Sequence, residues 1–324
     1  MKNTSPIIGL GILLITVGSL LACQFSTVSP ESSDTTSFST ALPANPSSFP
    51  IPEEKPTETT RDSSPPLHFP WLEEYTTNSS ILQQVAAPEG YERVAVASNS
   101  FAYWLRQLPL HPKGTAVLLY NGMTKPYQAG AYRVLNIDVG KRDLQQCADA
   151  VMRLRAEYLY GQKAYTDIHF NYTSGHSIYF SDWSKGKRPK VKGSKVYFTP
   201  AQGQTDVSYA QFKHYLNNVY SYAGTASLSK ELLPKDLANI EAGDVFIQGG
   251  FPGHAVLVMD VAQHPSTGER LFLLAQSYMP AQSIHLLHNP SQPDLSPWYS
   301  NTFSGALETP EWTFYKKDLH QFEQ

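Results

Sequence analysis

The sequence predicts an α+β domain in which one helix packs against an antiparallel sheet. Three observations carry that expectation. Apolar residues recur at helical spacing over residues 144–158, four short apolar runs between residues 244 and 287 read as successive strands, and the gap between two of those runs suits a hairpin.

The chain reaches that domain through two segments of different character. Lys2 followed by the apolar run 7–21 has the make-up of a signal peptide, and the run is too short and too Gly-rich for a comfortable membrane span. It ends in Leu20-Leu21-Ala22-Cys23, which resembles the lipobox of bacterial lipoproteins. The resemblance implies that residues 1–22 are removed and that Cys23 is acylated, which makes membrane lipid a partner and the cell envelope the location. Gln24 replaces the aspartate that marks inner-membrane retention in such proteins, so an outer membrane, where there is one, is implied. Residues 23–70 are rich in Ser, Thr and Pro and read as a tether, too poor in large apolar side chains to offset the entropy of ordering. Residues 71–324 suit a single domain with a sizeable core, and the 12% aromatic content fits a packed interior.

Each element of that domain has its own signal. Phe101, Trp104, Leu105 and Leu108 have helical spacing over residues 100–107. Residues 115–120 form a β-branched run stopped by Asn121-Gly122, and 131–139 alternate, so the two read as a strand pair. Asp143 can cap a helix over 144–160, with Leu144, Cys147, Val151, Leu154 and Tyr158 on one face and Arg153 one turn from Glu157. Residues 161–200 read as polar, aromatic loop. A second helix is expected over 209–222, with Phe212, Tyr215, Leu216, Val219 and Tyr220 inward. Strands follow at 244–248, 255–261, 271–275 and 284–287, then an irregular aromatic loop over 293–305.

Composition and motifs exclude several function classes. A net charge of −3 gives no general basic field for nucleic acid. The local run Lys185, Lys187, Arg188, Lys190, Lys192 and Lys195 reads as a solvated loop or as a contact for an anionic polymer or lipid surface. His169 and His176, with Asp167 nearby, lack the spacing of a zinc site, no Gly-rich phosphate loop follows a strand, and no G-x-S-x-G elbow is present. Neither a metal nor a cofactor is expected.

The chemistry then turns on sulfur. Cys23 and Cys147 are the only cysteines, so with Cys23 acylated Cys147 is a lone thiol, which in an exported protein is either buried or used. As a core residue it would suit the apolar stripe. Near a helix start, free backbone N–H groups would favour its thiolate. A nucleophile also needs a base, and His254 stands at a strand mouth after Pro252-Gly253. Asp260, on the same strand, lies about 20 Å away and cannot orient that imidazole. Pairing Asp260 with Arg270 across the hairpin would place Val258 by Phe272, Val256 by Leu274 and His254 opposite Gln276. Gln276 could then accept from one ring nitrogen and leave the other for Cys147. Tyr278, Trp298, Tyr299 and Trp312 are available to line a cleft or to pack the core.

A cysteine helix, a strand from Gly243-Asp244, a strand from Gly253-His254 and a polar residue one strand later form an order that resembles the NlpC-type and CHAP branches of papain-like thiol hydrolases. Those are amidases and endopeptidases, often of bacterial cell wall. The resemblance implies a papain-like core with Cys147 as nucleophile, His254 as base and Gln276 as third member. Two departures stand out. Ala148-Asp149-Ala150 replaces the small residues, such as Ser-Gly, that usually follow that cysteine, and the long stretch to His254 implies a large insertion over 161–232. Over the whole domain, Leu144-Gln145-Gln146-Cys147-Ala148-Asp149-Ala150, Arg153-Leu154-Arg155-Ala156-Glu157-Tyr158 and Ala275-Gln276-Ser277-Tyr278-Met279-Pro280-Ala281-Gln282 are similar to a family of uncharacterised bacterial lipoproteins, the domain of unknown function 4846. That family brings no established activity.

The expectation is therefore an envelope lipoprotein acting as a thiol amidohydrolase or endopeptidase, with cell-wall peptide as the substrate its compartment supplies. Backbone N–H groups at the helix start would hold the oxyanion, with Gln145 or Gln146 as a side-chain donor. A non-catalytic lipoprotein that holds a partner in the same cleft, and an acyltransferase that passes the same thioester to an amine or alcohol, are the alternatives.

Overall fold

The structure, a computed structural model, describes residues 67–323; the expected signal, Cys23 and most of the tether lie outside the described residues. Phe69, expected in the tether, is buried against Trp71, Tyr75 and Trp104. Among the described residues no helix is long and apolar enough to cross a membrane.

The architecture is α+β, built on a mainly antiparallel sheet. Across it the strands run Ala131–Val134, His285–Leu287, Arg270–Gln276, His254–Gln263, Val245–Gln248, Leu319–Gln321 and Leu233–Pro234. Glu92–Arg93 pairs with His254–Gln263, and Trp298–Ser300 with Arg270–Gln276. The central strand His-Ala-Val-Leu-Val-Met-Asp-Val-Ala-Gln is buried along nearly its whole length, because both faces of the sheet are covered. One face carries Ala255, Leu257, Met259 and Leu273 against the helices. The other carries Val256, Val258, Phe272 and Leu274 under the hairpin Ala306–Glu308/Thr313–Tyr315, through Leu307 and Phe314.

The helix Cys147–Gly161 packs on the central strand with almost every side chain of its first three turns buried, so its apolar surface is wider than the expected single stripe. Arg153 meets Glu157 across one turn at 3.3 Å. The helices Phe101–Arg106 and Tyr209–Tyr220 lie where spacing put them, capped by Ser100 and Ser208, and the five expected inward residues of the second are buried. Residues 161–200, expected as loop, are not loop alone, and the stretch on to 232 adds a short helix to the expected one. Together they hold the hairpins His169–Asn171/Ser177–Tyr179 and Pro189–Lys192/Lys195–Phe198 and the helices Phe180–Ser184, Tyr209–Tyr220 and Thr225–Glu231.

Three local expectations are corrected. Residues 115–120 make isolated bridges only, and Ala131–Val134 pairs instead with His285–Leu287. The aromatic stretch 293–305 contains the strand Trp298–Ser300, whose Trp298 and Tyr299 are core residues at 2% and 1% exposure, so neither lines a cleft. The hairpin register also differs. Asp260 faces Leu273, not Arg270, and after a bulge Ala275 faces Leu257 where the expected register would give Ala255. The cause lies at Asp260, whose carboxylate accepts from Arg93 and Arg106 while Arg270 donates to the Ile240 carbonyl at 2.9 Å. A two-residue offset leaves side chains on the same face, so His254 and Gln276 still meet, diagonally.

Candidate active site

The helix begins at Cys147, three residues later than expected, because Gln146 is the N-cap: its backbone N–H donates to Asp149 Oδ2 at 3.1 Å. Asp143, expected as the cap, instead accepts from Gln146 Nε2 at 3.0 Å and from the Ala281 N–H at 2.7 Å. Cys147 is thus the first helical residue, partly exposed, and the backbone N–H groups of Cys147, Ala148 and Ala255 favour its thiolate. These donors do not prevail. Burial, with the Asp149 carboxyl nearby, pushes the thiol up to about 11, against the thiolate expected from the helix start alone.

His254 opens the strand next to Val245–Gln248 and is 1% exposed. Its Nε2 lies 2.8 Å from Gln276 Oε1, and its ring sits among Tyr278, Trp312 and Phe314 at centroid distances of 4.8, 5.4 and 5.9 Å. Burial lowers its pKa to about 4, the Gln276 bond pulling up and the Lys125 charge pushing down. Between these two values thiol and imidazole are both neutral. The amide oxygen accepts, so Nε2 carries the proton and Nδ1 keeps a free lone pair.

Cys147 and His254 line one cavity of about 470 Å³, whose walls also include Gln146, Asp149, Tyr278 and Trp312. The expected insertion contributes a wall of its own through Thr173, Tyr220 and residues 223–226. Gly253 is required next to His254, since a Cβ there would stand 2.5 Å from Thr225 Oγ1 and 2.6 Å from the Gly250 carbonyl. Thr225 Oγ1 donates to Gly250 O at 3.1 Å, which ties the loop 249–253 to the helix Thr225–Glu231. At the rim, Phe251 is 96% exposed. Deeper in, Asp149 Oδ1 and the Tyr220 hydroxyl are buried without a hydrogen-bond partner among the described residues.

Other candidates resolve by their contacts. Of the two glutamines considered as oxyanion donors, Gln146 lines the cavity but gives its Nε2–H to Asp143, whereas Gln145, outside the lining, accepts from Arg153 at Oε1 and leaves Nε2 buried without a partner among the described residues. His169 stacks on Tyr179, and His176 bonds Ser174 at 3.1 Å; no cluster able to hold a metal ion occurs among the described residues. Half of the basic run lies on the exposed hairpin Pro189–Lys192/Lys195–Phe198, with Lys190, Lys192 and Lys195 on the face that carries Tyr197, while Lys187 pairs with Asp182 and Arg188 stacks on Trp183. Asp149 carries a sequence signal of its own, since an acid three residues after a polar N-cap is half of a capping box. Glu311, which accepts from Gln276, and Lys125, which donates to Glu311, carry none.

No curated protein and no solved structure matches the chain. A family model does match, over residues 81–321, which spans both the cysteine helix and the histidine strand, and the chain belongs to the family described as Domain of unknown function (4846).

Proposed function

We propose that this protein is a lipid-anchored envelope hydrolase that cleaves an amide bond through Cys147, on a papain-like core of the NlpC and CHAP type. The observation that supports it is the shared cavity of Cys147 and His254, in which one imidazole nitrogen is tied to Gln276 and the other is free. In the reaction His254 Nδ1 takes the proton of Cys147 as the sulfur attacks the substrate carbonyl. The N–H groups at the helix start stabilise the oxyanion, and the imidazolium returns the proton to the departing amine. Water, deprotonated by the same imidazole, then adds to the thioester, releasing the acid and restoring the thiol. With both groups neutral at rest, His254 works as a general base and not as half of a standing ion pair. Cell-wall peptide remains the proposed substrate, and Cys23 the proposed site of lipid attachment.

Two measurements test this reading. Alkylation of Cys147 by iodoacetamide at pH 6.5 is expected to slow about 100-fold in His254→Ala, the scale of general-base assistance. Equal rates in the two proteins would remove the enzyme. Incorporation of labelled palmitate in cells is expected to vanish in Cys23→Ser, and persistence of the label would remove the anchor. A non-catalytic binding role is the second reading, favoured by one observation, the burial that raises the thiol to about 11.

A further inference from the structure

Next to His254, and outside the lining of the cavity, residues of three distant segments form a chain from Gln276 through Glu311 to Lys125. Gln276 Nε2 donates to Glu311 Oε2 at 2.6 Å, and the same oxygen accepts from Lys125 Nζ at 2.5 Å. Lys125 is 5% exposed, and the Glu311 side chain 15%. A buried lysine and a nearly buried glutamate are costly to keep and leave a strong directional constraint where they are kept.

That constraint decides which way Gln276 points. A carboxylate has no proton to give, so the group of Gln276 that faces Glu311 must be its NH₂, and Oε1 is thereby turned to His254. The other neighbours cannot set the orientation. His285, directly across the ladder from Gln276, is a fully buried neutral imidazole that spends Nδ1–H on the Ser283 carbonyl at 2.9 Å. Tyr278, Trp312 and Phe314 contact the His254 ring through their faces and edges. Without the carboxylate the Gln276 amide could turn over, present NH₂ to the imidazole and draw the proton to Nδ1, which would take away the base.

We propose that Glu311, held by Lys125, is a positioning residue that fixes the Gln276 amide and through it the Nε2–H tautomer of His254. The assignment of Nδ1 as base rests on the proposed hydrolase, but the tautomer does not. Histidine-selective ¹⁵N NMR of the full chain reads it directly, at pH 7 where His254 is neutral. In the wild type the ring is expected as Nε2–H; an Nδ1–H ring would overturn the proposal whatever any variant does. In Lys125→Met/Glu311→Leu, which removes both charges together and keeps the volume filled, Nδ1–H is expected to become the major form. Iodoacetamide labelling of Cys147 should fall about 10-fold with it. Adding the pair of changes to Gln276→Ala is expected to slow labelling no further, because the amide they act through is gone. An unchanged tautomer in the double variant, or losses that multiply in the Gln276→Ala background, would reduce Lys125 and Glu311 to structural ballast. Should the tautomer respond as stated while His254→Ala labels as fast as wild type, the hydrolase fails and the clamp stands.

Discussion

The two ends of the strand His254–Gln263 hide equally polar groups and treat them in opposite ways. Asp260, 0% exposed, has both oxygens spoken for: Oδ1 accepts from Arg106 and from the Val261 N–H, and Oδ2 accepts from Arg93 at 2.6 Å. His254, 1% exposed, has one nitrogen bound to Gln276 and the other with no protein hydrogen bond among the described residues, and it lines the same cavity as Cys147. Burial is the same, so what differs is completeness. A buried polar group with every valence filled holds the fold together, whereas one kept short of a partner is available for chemistry.

That contrast breaks most visibly at the saturated end. Asp260→Ala strands two guanidinium groups in the interior and is expected to cost about 3–5 kcal/mol in urea unfolding. His254→Ala should slow labelling severely at a much smaller cost in stability. If the two substitutions destabilised alike, the distinction between a closed and an open buried site would collapse.

A somewhat smaller effect sharpens the open end. His254 is held at about 4, below the ordinary 6.5, so the unfolded chain takes up its proton first as the solution is acidified. Its contribution to stability is therefore complete above pH 6.5 and declines by about 1.4 kcal/mol per unit as pH falls toward 4. His285, lowered to about 3, acts in the same sense over a wider range. Glu231 at about 7 and Asp244 at about 6 are carboxyls raised by burial, and they act in the opposite sense. The test is accordingly a difference. Between pH 7 and pH 4, unfolding free energy should shift by about 3 kcal/mol in favour of His254→Gln over wild type. A constant difference across that window would mean that His254 titrates as an exposed imidazole and is not desolvated.

What the sequence disclosed follows the same division between local and distant causes. The two long helices and five of the sheet strands were legible because their periodicity is local, and so was the meeting of His254 with Gln276, since face parity survives a two-residue error in register. The register itself was not legible, because Asp260 is paired to Arg93 and Arg106, more than 150 positions upstream, and no hairpin rule sees that. The helix start was misplaced for a local reason, a choice between Asp143 and Gln146 that spacing leaves open. Trp298 and Tyr299 passed for loop because a three-residue strand has too short a period to announce itself. Lys125 and Glu311 are single residues in irregular segments, given meaning only by the fold that brings them to Gln276.

The mildest expected effect concerns the wall that Thr173, Tyr220 and residues 223–226 lend to the cavity. Ser208 caps the helix Tyr209–Tyr220 by accepting the Gln211 N–H at 3.4 Å, and Tyr220, at the far end of that helix, faces the cavity. Losing such a cap costs about 1 kcal/mol and loosens the first turn only. Between that turn and Tyr220, Phe212, Tyr215, Leu216 and Val219 are all buried, so the wall should not move. Ser208→Ala is expected to lower the urea midpoint slightly and to leave Cys147 labelling within about two-fold of wild type, since fraying is confined to the end turn. A 10-fold change in labelling would show instead that the helix Tyr209–Tyr220 and the thiol share one cooperative unit, and that the open end of the central strand is kept open by residues far outside it.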